Sequence, residues 1–202
     1  METTSNPTSS SSAKTADAPE RHLDATEMKL RQPVEKLIPT KDPARRVKPV
    51  NLQSESDLPI FVLEKVLKEI IAYSRTDKDQ ELGGVLVGGY YRWEGRDYIE
   101  IDGYLAARLG QGRSASFTFT HEAWHDIHQR LGDTDERLLV GWHHTHPTFG
   151  CFLSGHDRFI QDNFFDLPWQ VALVVDPCRN TLAFFQWCNA DVKDCGFYIV
   201  VK

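Results

Sequence analysis

The segment Gly141–Asp157, GWHHTHPTFGCFLSGHD, commits the chain to a strand followed by a helix. An apolar run, RLLVGW, leads into it. Ser154-x-x-Asp157 then has the pattern of a capping box ahead of Phe159, Ile160 and Phe164, which are spaced for packing. Side chains alternate across a strand, so His144 and His146 share one face and His143 takes the other. A carboxylate from the first helical turn, Asp157, completes a His₂Asp set of the ligand types that Zn²⁺ prefers. Three protein ligands with a fourth position left for water is the arrangement of a catalytic rather than a structural zinc site. A capping box needs no metal, and two histidines at a strand end are ordinary polar residues. The expectation of a metal site rests on their coincidence.

Composition separates this segment's domain from what precedes it. Residues 1–57 contain none of the 11 Phe, 5 Trp and 6 Tyr, hold six of the ten prolines, and balance nine basic against nine acidic residues. They read as a disordered or linker-like N-terminal tail: residues 1–20 are Ser/Thr-rich, and Pro33, Pro39, Pro43 and Pro49 forbid a long helix in residues 21–57. Leu30, Val34, Leu37 and Ile38, lying among those prolines, support a second reading of residues 21–57 as an arm that docks on a partner or on the domain itself. The domain, 58–202, therefore carries the whole net charge of −6, a poor basis for neutralising phosphates, so nucleic-acid binding is not expected. No run approaches 18 apolar residues, so no membrane span is expected. The start, METTSNPTSSSSAKT, lacks the basic and apolar regions of a secretory signal. A cytoplasmic location with reduced Cys151, Cys178, Cys188 and Cys195 follows as the expectation; a Cys188–Cys195 pairing stays open.

Along the domain, Ser56 or Asp57 can cap a helix with Pro59 in its first turn and Val62, Leu63, Val66, Leu67 and Ile70 at helical spacing. ELGGVLVGGYYRW and DYIEIDGYLAA read as a hairpin turned at Glu94-Gly95-Arg96. ARLGQGRSAS is a loop and SFTF a short strand; Thr120 caps a second helix through Arg130. RLLVGWHHTH is a buried strand, and after the helix from Ser154 come three apolar strands, WQVALVVDP, TLAFFQW and FYIVV. This order predicts an α/β domain with a mixed β-sheet flanked by helices.

Other residues compete for chemistry. His121-Glu122-Ala123-Trp124-His125 matches H-E-x-x-H on a predicted helix, without the extension or third ligand that would support it. Cys151 lies between the histidines and Ser154, but nothing in the sequence supplies the lowered pKa and adjacent base that a thiolate nucleophile needs. A hydrolytic zinc site requires a base, and Glu81 stands beside a glycine pair that would admit it to a crowded site; by position alone it is equally an ordinary solvated residue.

Glu81, His144-Thr145-His146-Pro147, the seven residues from Pro147 to Leu153, and Ser154-x-x-Asp157 together resemble the JAMM (MPN⁺) metalloprotease family. ELGGVLVG and VALVVDP are similar to strands of the same family, and the resemblance covers roughly residues 58–190. It implies a JAMM/MPN (cytidine-deaminase-like) fold with one catalytic Zn²⁺ on His144, His146 and Asp157. Glu81 would be the general base and Ser154 the donor to the developing oxyanion. The implied reaction is cleavage of a peptide or isopeptide bond after the C-terminal Gly-Gly of a ubiquitin-like protein. The loop Arg108–Ser114 falls where family members carry an insertion that holds the substrate tail. Two alternatives remain beside it: trimming of a sulfur-carrier protein, and a non-catalytic MPN-type scaffold, whose members typically lack metal-site residues that are all present here. His143 departs from the aromatic residue usual in eukaryotic members. The short form, without C-terminal pairing helices, looks more like the bacterial members.

Overall fold

The computed structural model describes residues 32–51, 54–113, 116–132 and 136–201, and the disorder expected for residues 1–20 lies outside them. Gln32 onward forms one compact unit. Its first strands are β1 (Val34–Glu35), β2 (Arg46–Val50) and β3 (Ile60–Leu63), followed by helix α1 (Glu64–Ser74). The hairpin β4 (Gly83–Trp93) and β5 (Arg96–Ala106) comes next, then β6 (Gln111–Arg113), β7 (Ser116–Thr118) and helix α2 (His121–Leu131). Strand β8 (Leu138–Thr145) and helix α3 (Gly155–Phe164) carry the histidine segment. The remainder is all strand: β9 (Val171–Asp176), β10 (Thr181–Cys188), β11 (Asp191–Cys195) and β12 (Phe197–Val201).

Among the described residues, ten strands make one mixed sheet in the order β11-β10-β9-β8-β4-β5-β3-β12-β2, with β1 parallel to the far end of β4; β6 and β7 pair separately. Glu94 (φ +49°) and Gly95 (φ +79°) both take the left-handed region, the two-residue turn whose twist suits a hairpin. Helices cover both faces, as the α/β reading expects. Val66, Leu67 and Ile70 of α1 are buried, and α1 packs on β3, β5, β9 and β12. On the opposite face, Ala123 and Ile127 of α2 and Ile160 of α3 share a core with Val85, Trp142, Val174 and Phe185. No helix among the described residues is long and apolar enough to cross a membrane.

Three expectations are corrected. The first helix begins at Glu64, not at the Ser56/Asp57 cap, because Ile60–Leu63 is a strand buried on both faces between β5 and β12. A continuous apolar run of four does not distinguish a doubly buried parallel strand from a helix. Asp57 instead accepts from Ser54 N at 3.0 Å and pairs with Lys193 at 2.7 Å. Strands β6 and β11 were not expected; DVKDC is too polar to read as a strand and stands at the sheet edge, where one row of backbone groups faces solvent. Cys195 there donates to Phe184 O at 3.5 Å, and Cys188 and Cys195 are both free thiols.

The third correction concerns the tail. Residues 32–50 are built into the domain: β2 pairs antiparallel with β12, and β1 pairs parallel with β4. Lys36 N donates to Arg92 O at 3.0 Å, and Tyr98 OH donates to Lys36 O at 3.1 Å. The buried Glu100 carboxylate receives Arg45 Nη1 at 2.7 Å and Lys36 Nζ at 3.4 Å. The arm docks on its own domain, so the linker reading fails for these residues. An edge strand with Pro49, exposed on much of its length, carries the composition of a linker while its backbone completes a sheet.

Candidate metal centre

The strand parity of β8 separates its histidines as expected. His143 points toward α1, its Nε2 3.0 Å from Ser74 Oγ and its Nδ1 3.1 Å from Tyr104 OH. Ser74 Oγ donates to Ile70 O at 2.8 Å, so His143 Nε2–H donates to Ser74 and Nδ1 accepts from the tyrosine. Burial, with His144 adding to it, pushes His143 down to about 3, so it is a neutral core residue.

His144 and His146 face the other way, toward the start of α3. Their Nε2 atoms are 3.1 Å apart. Asp157 Oδ1 lies 3.4 Å from His144 Nε2, and Oδ2 lies 3.3 Å from His146 Nε2. Ligand atoms placed tetrahedrally at 2.0–2.1 Å from one ion are about 3.3–3.4 Å from each other, and the two imidazoles and the nearer Asp157 oxygen of each are separated by distances of that order, which suits a zinc ion. Among the described residues they are the one cluster of three or more His, Cys, Asp or Glu whose ligand atoms all lie within 4.8 Å of one another, and all three are buried.

The capping box is also present, and it aims the carboxylate. Ser154 N donates to Asp157 Oδ2 at 2.6 Å, and Asp157 N donates to Ser154 Oγ at 3.2 Å. Burial opposes the charge on Asp157, but hydrogen bonds from His144, His146 and Ser154 hold it far below the usual carboxylate range. Burial lowers His144 despite Asp157. Burial also works against protonation of His146, but Asp157 and Glu81 overcome it and raise that group. His146 Nδ1–H donates to Gly150 O at 3.3 Å, which leaves Nε2 as the ring nitrogen that faces the cluster. The His144 ring stacks on Trp142 at 4.4 Å, and Trp142 Nε1 donates to the buried Gln161 at 2.7 Å.

Glu81 reaches this cluster through strand register. Gly83 of β4 pairs with His144 of β8, so the next residues outward bring Glu81 beside His146. The pairing continues past β4: Thr145 N donates to Leu82 O, and Leu82 N donates to Thr145 Oγ1, both at 2.8 Å. Glu81 Oε1 is 3.8 Å from His146 Nε2, and its buried Oε2 has no hydrogen-bond partner among the described residues. Burial raises Glu81 to about 7, against the pull of His146 and with a push from Asp157. Thr145→Val removes the acceptor for Leu82 N and is expected to cost about 1 kcal/mol. Thermal unfolding checks this, and an unchanged midpoint would show the clamp to be dispensable.

Asp176 and Gln161 escaped sequence reasoning. Asp176, buried at the end of β9, accepts from Thr148 N at 3.1 Å, Gly150 N at 2.8 Å, Cys178 N at 2.9 Å and Arg179 N at 3.0 Å. It thereby shapes the loop after His146. An Asp closing an apolar strand just before Pro177 is a signal for such a turn. The H-E-x-x-H histidines do not join the cluster. His121 and His125 are exposed on α2, and His125 Nε2 lies 2.9 Å from Gln129 Nε2. Cys151 is half-buried with Sγ 3.6 Å from Thr181 Oγ1.

A mixed sheet clasped by three helices, with a His₂Asp cluster between β8 and α3, defines an α/β protein with a candidate metal centre. The family model described as "JAB1/Mov34/MPN/PAD-1 ubiquitin protease" matches residues 58–167, more than half of the chain, and the chain belongs to that family. Relatives include COP9 signalosome complex subunit 5 of Candida albicans, 28% identical over 71% of this chain and 24% of the relative. Another is the ubiquitin carboxyl-terminal hydrolase RPN11 of Saccharomyces cerevisiae, 29% identical over 60% of this chain and 39% of the relative. The chain thus spans well under half the length of these relatives. The solution structure of protein DSY2949 from Desulfitobacterium hafniense shares the fold, with a TM-score of 0.50 at 20% identity over 71% of this chain and 92% of that one.

Proposed function

We propose that the chain is a zinc-dependent isopeptidase or peptidase that cleaves after the C-terminal Gly-Gly of a ubiquitin-like protein and works in the cytoplasm. The observation that carries this reading is the close grouping of His144, His146 and Asp157, with the buried Glu81 beside them. The family and the names of relatives such as RPN11 support the substrate class.

His144, His146 and Asp157 would hold the ion. When bound, zinc supplies Lewis acidity and a hydroxide nucleophile at neutral pH. Glu81 accepts a proton at Oε2, the oxygen with no hydrogen-bond partner among the described residues, and returns it to the leaving amine; a carboxyl raised by burial to about 7 suits both transfers. Ser154 uses an oxygen lone pair as the helix cap, so its hydroxyl proton remains to be donated to the developing oxyanion. Trp142 and Phe165 wall the His144 side with apolar surface. The substrate's tail lies extended along the β6–β7 hairpin, whose strand β6 passes against Glu81: a Cβ on Gly112 would sit 1.9 Å from Glu81 O.

The test is hydrolysis of two fusions, a linear and an isopeptide-linked ubiquitin-like protein ending in Gly-Gly, beside a sulfur-carrier precursor. Zinc-loaded protein should cut after Gly-Gly, a chelator should stop it, and added Zn²⁺ should restore it. Failure on all three substrates would sink the proposal.

A further inference from the structure

We propose that His156 is a positioning residue that latches the β6–β7 hairpin onto the first turn of α3, holding it preformed beside Glu81; the link to substrate binding rests on the peptidase reading above. His156 directly precedes Asp157. Successive residues of a helix point about 100° apart, so while Asp157 turns inward to the histidines its neighbour is free to face the hairpin. The His156 Nε2 atom lies 3.0 Å from Phe117 O and 3.3 Å from Thr118 Oγ1. A carbonyl only accepts, so Nε2 carries the proton and donates.

The residue it grips anchors the hairpin. Phe117 pairs with Gly112 across the hairpin. Its ring lies on Gly83, where an added Cβ would come within 2.4 Å of Phe117 Cε1. Gly83 in turn faces His144 in the register of β4 and β8. The hairpin is a two-stranded ribbon of three residues a side, with no place in the main sheet. A ribbon that short is marginal by itself and depends on what it packs against. Its described contacts with the centre are the Phe117 ring, Gly112 against Glu81, and this imidazole. Of these, only the imidazole comes from the helix that carries the metal ligand.

The experiment compares zinc-loaded wild type, His156→Ala and His156→Gln by amide hydrogen exchange and by cleavage kinetics on the Gly-Gly fusion. In His156→Ala the amides of Phe117–Phe119 should exchange roughly 3–10-fold faster, the loss of one hydrogen bond, while β8 and β9 and the zinc content stay as in wild type. KM should rise by roughly the same factor with kcat within about twofold, because the hairpin binds ground and transition states alike. His156→Gln, whose amide N–H can donate in place of Nε2, should restore both readouts. Unchanged exchange in His156→Ala, a fall in kcat at constant KM, or no rescue by Gln would overturn the latch. If wild type cleaves nothing, the peptidase reading fails, and the exchange data alone still decide whether the latch exists.

Discussion

Asp157→Ala and His144→Ala should each abolish stoichiometric zinc binding and reduce Gly-Gly cleavage to background, while His121→Ala keeps one zinc per chain. Among the described residues these three are the one group of His, Cys, Asp or Glu whose ligand atoms all lie within 4.8 Å of one another, and Glu81 approaches only His146, at 3.8 Å, so two ligands are left to hold the ion when one is removed. Asp157→Ala also deletes the acceptor of Ser154 N, so a further stability loss of about 1 kcal/mol is expected from the cap. Asp157→Asn separates the two roles: its amide oxygen can still accept from Ser154 N, but the negative charge facing two imidazoles is gone. It should fold nearly as well as wild type and still bind zinc poorly. Metal analysis after gel filtration, beside thermal unfolding, checks each variant. Stoichiometric zinc in Asp157→Ala would refute the assignment, and zinc lost in His121→Ala would move it to α2.

Glu81→Gln should retain zinc and lose about 10²–10⁴-fold in cleavage rate, the usual contribution of a general base. Gln has the same shape but cannot take a proton, so the comparison isolates proton transfer. The same variant carries a stability signature in metal-free protein. Burial raises the folded Glu81 to about 7 from an ordinary value of 4.5. A carboxyl raised in this way leaves stability intact below pH 4.5 and withdraws it as pH climbs through 7, because the folded state resists losing the proton. Metal-free Glu81→Gln should therefore melt above metal-free wild type at pH 8, with the difference vanishing near pH 4. Full activity in Glu81→Gln would remove Glu81 from the reaction. Equal melting at pH 8 would show that its burial imposes no such cost.

These variants test residues that were legible to different degrees. His144, His146 and Asp157 could be read because their geometry is local: a strand sends alternate side chains to one face, and a capping box directs the residue at its third position. The same local logic set His143 apart, and its bonds to Ser74 and Tyr104 show what the other face holds. Glu81 was visible only through the family pattern. By position it was one more polar residue before a strand, and its place beside His146 comes from the β4–β8 register and the Thr145–Leu82 clamp. Asp176 reads in the sequence only as the end of a strand; two of its four backbone contacts are in the turn that follows it, and the other two, Thr148 N and Gly150 N, belong to a loop that departs from another strand. Residues 32–50 misled by composition, because an edge strand is stabilised through its backbone and needs few apolar side chains.

By itself, then, the amino-acid sequence determined the α/β class and the identity of three candidate ligands, since these depend on periodicity or on spacing within a single turn or strand; the resemblance to the family rested on a longer pattern that runs from Glu81 to Asp157. The tertiary structure alone decided how Glu81 is brought beside those ligands, which carboxylate shapes the loop after His146, and how the hairpin is gripped. Those features arise where segments distant in the chain are brought together by hydrogen-bond register and packing, and neither is written in the order of residues along one segment.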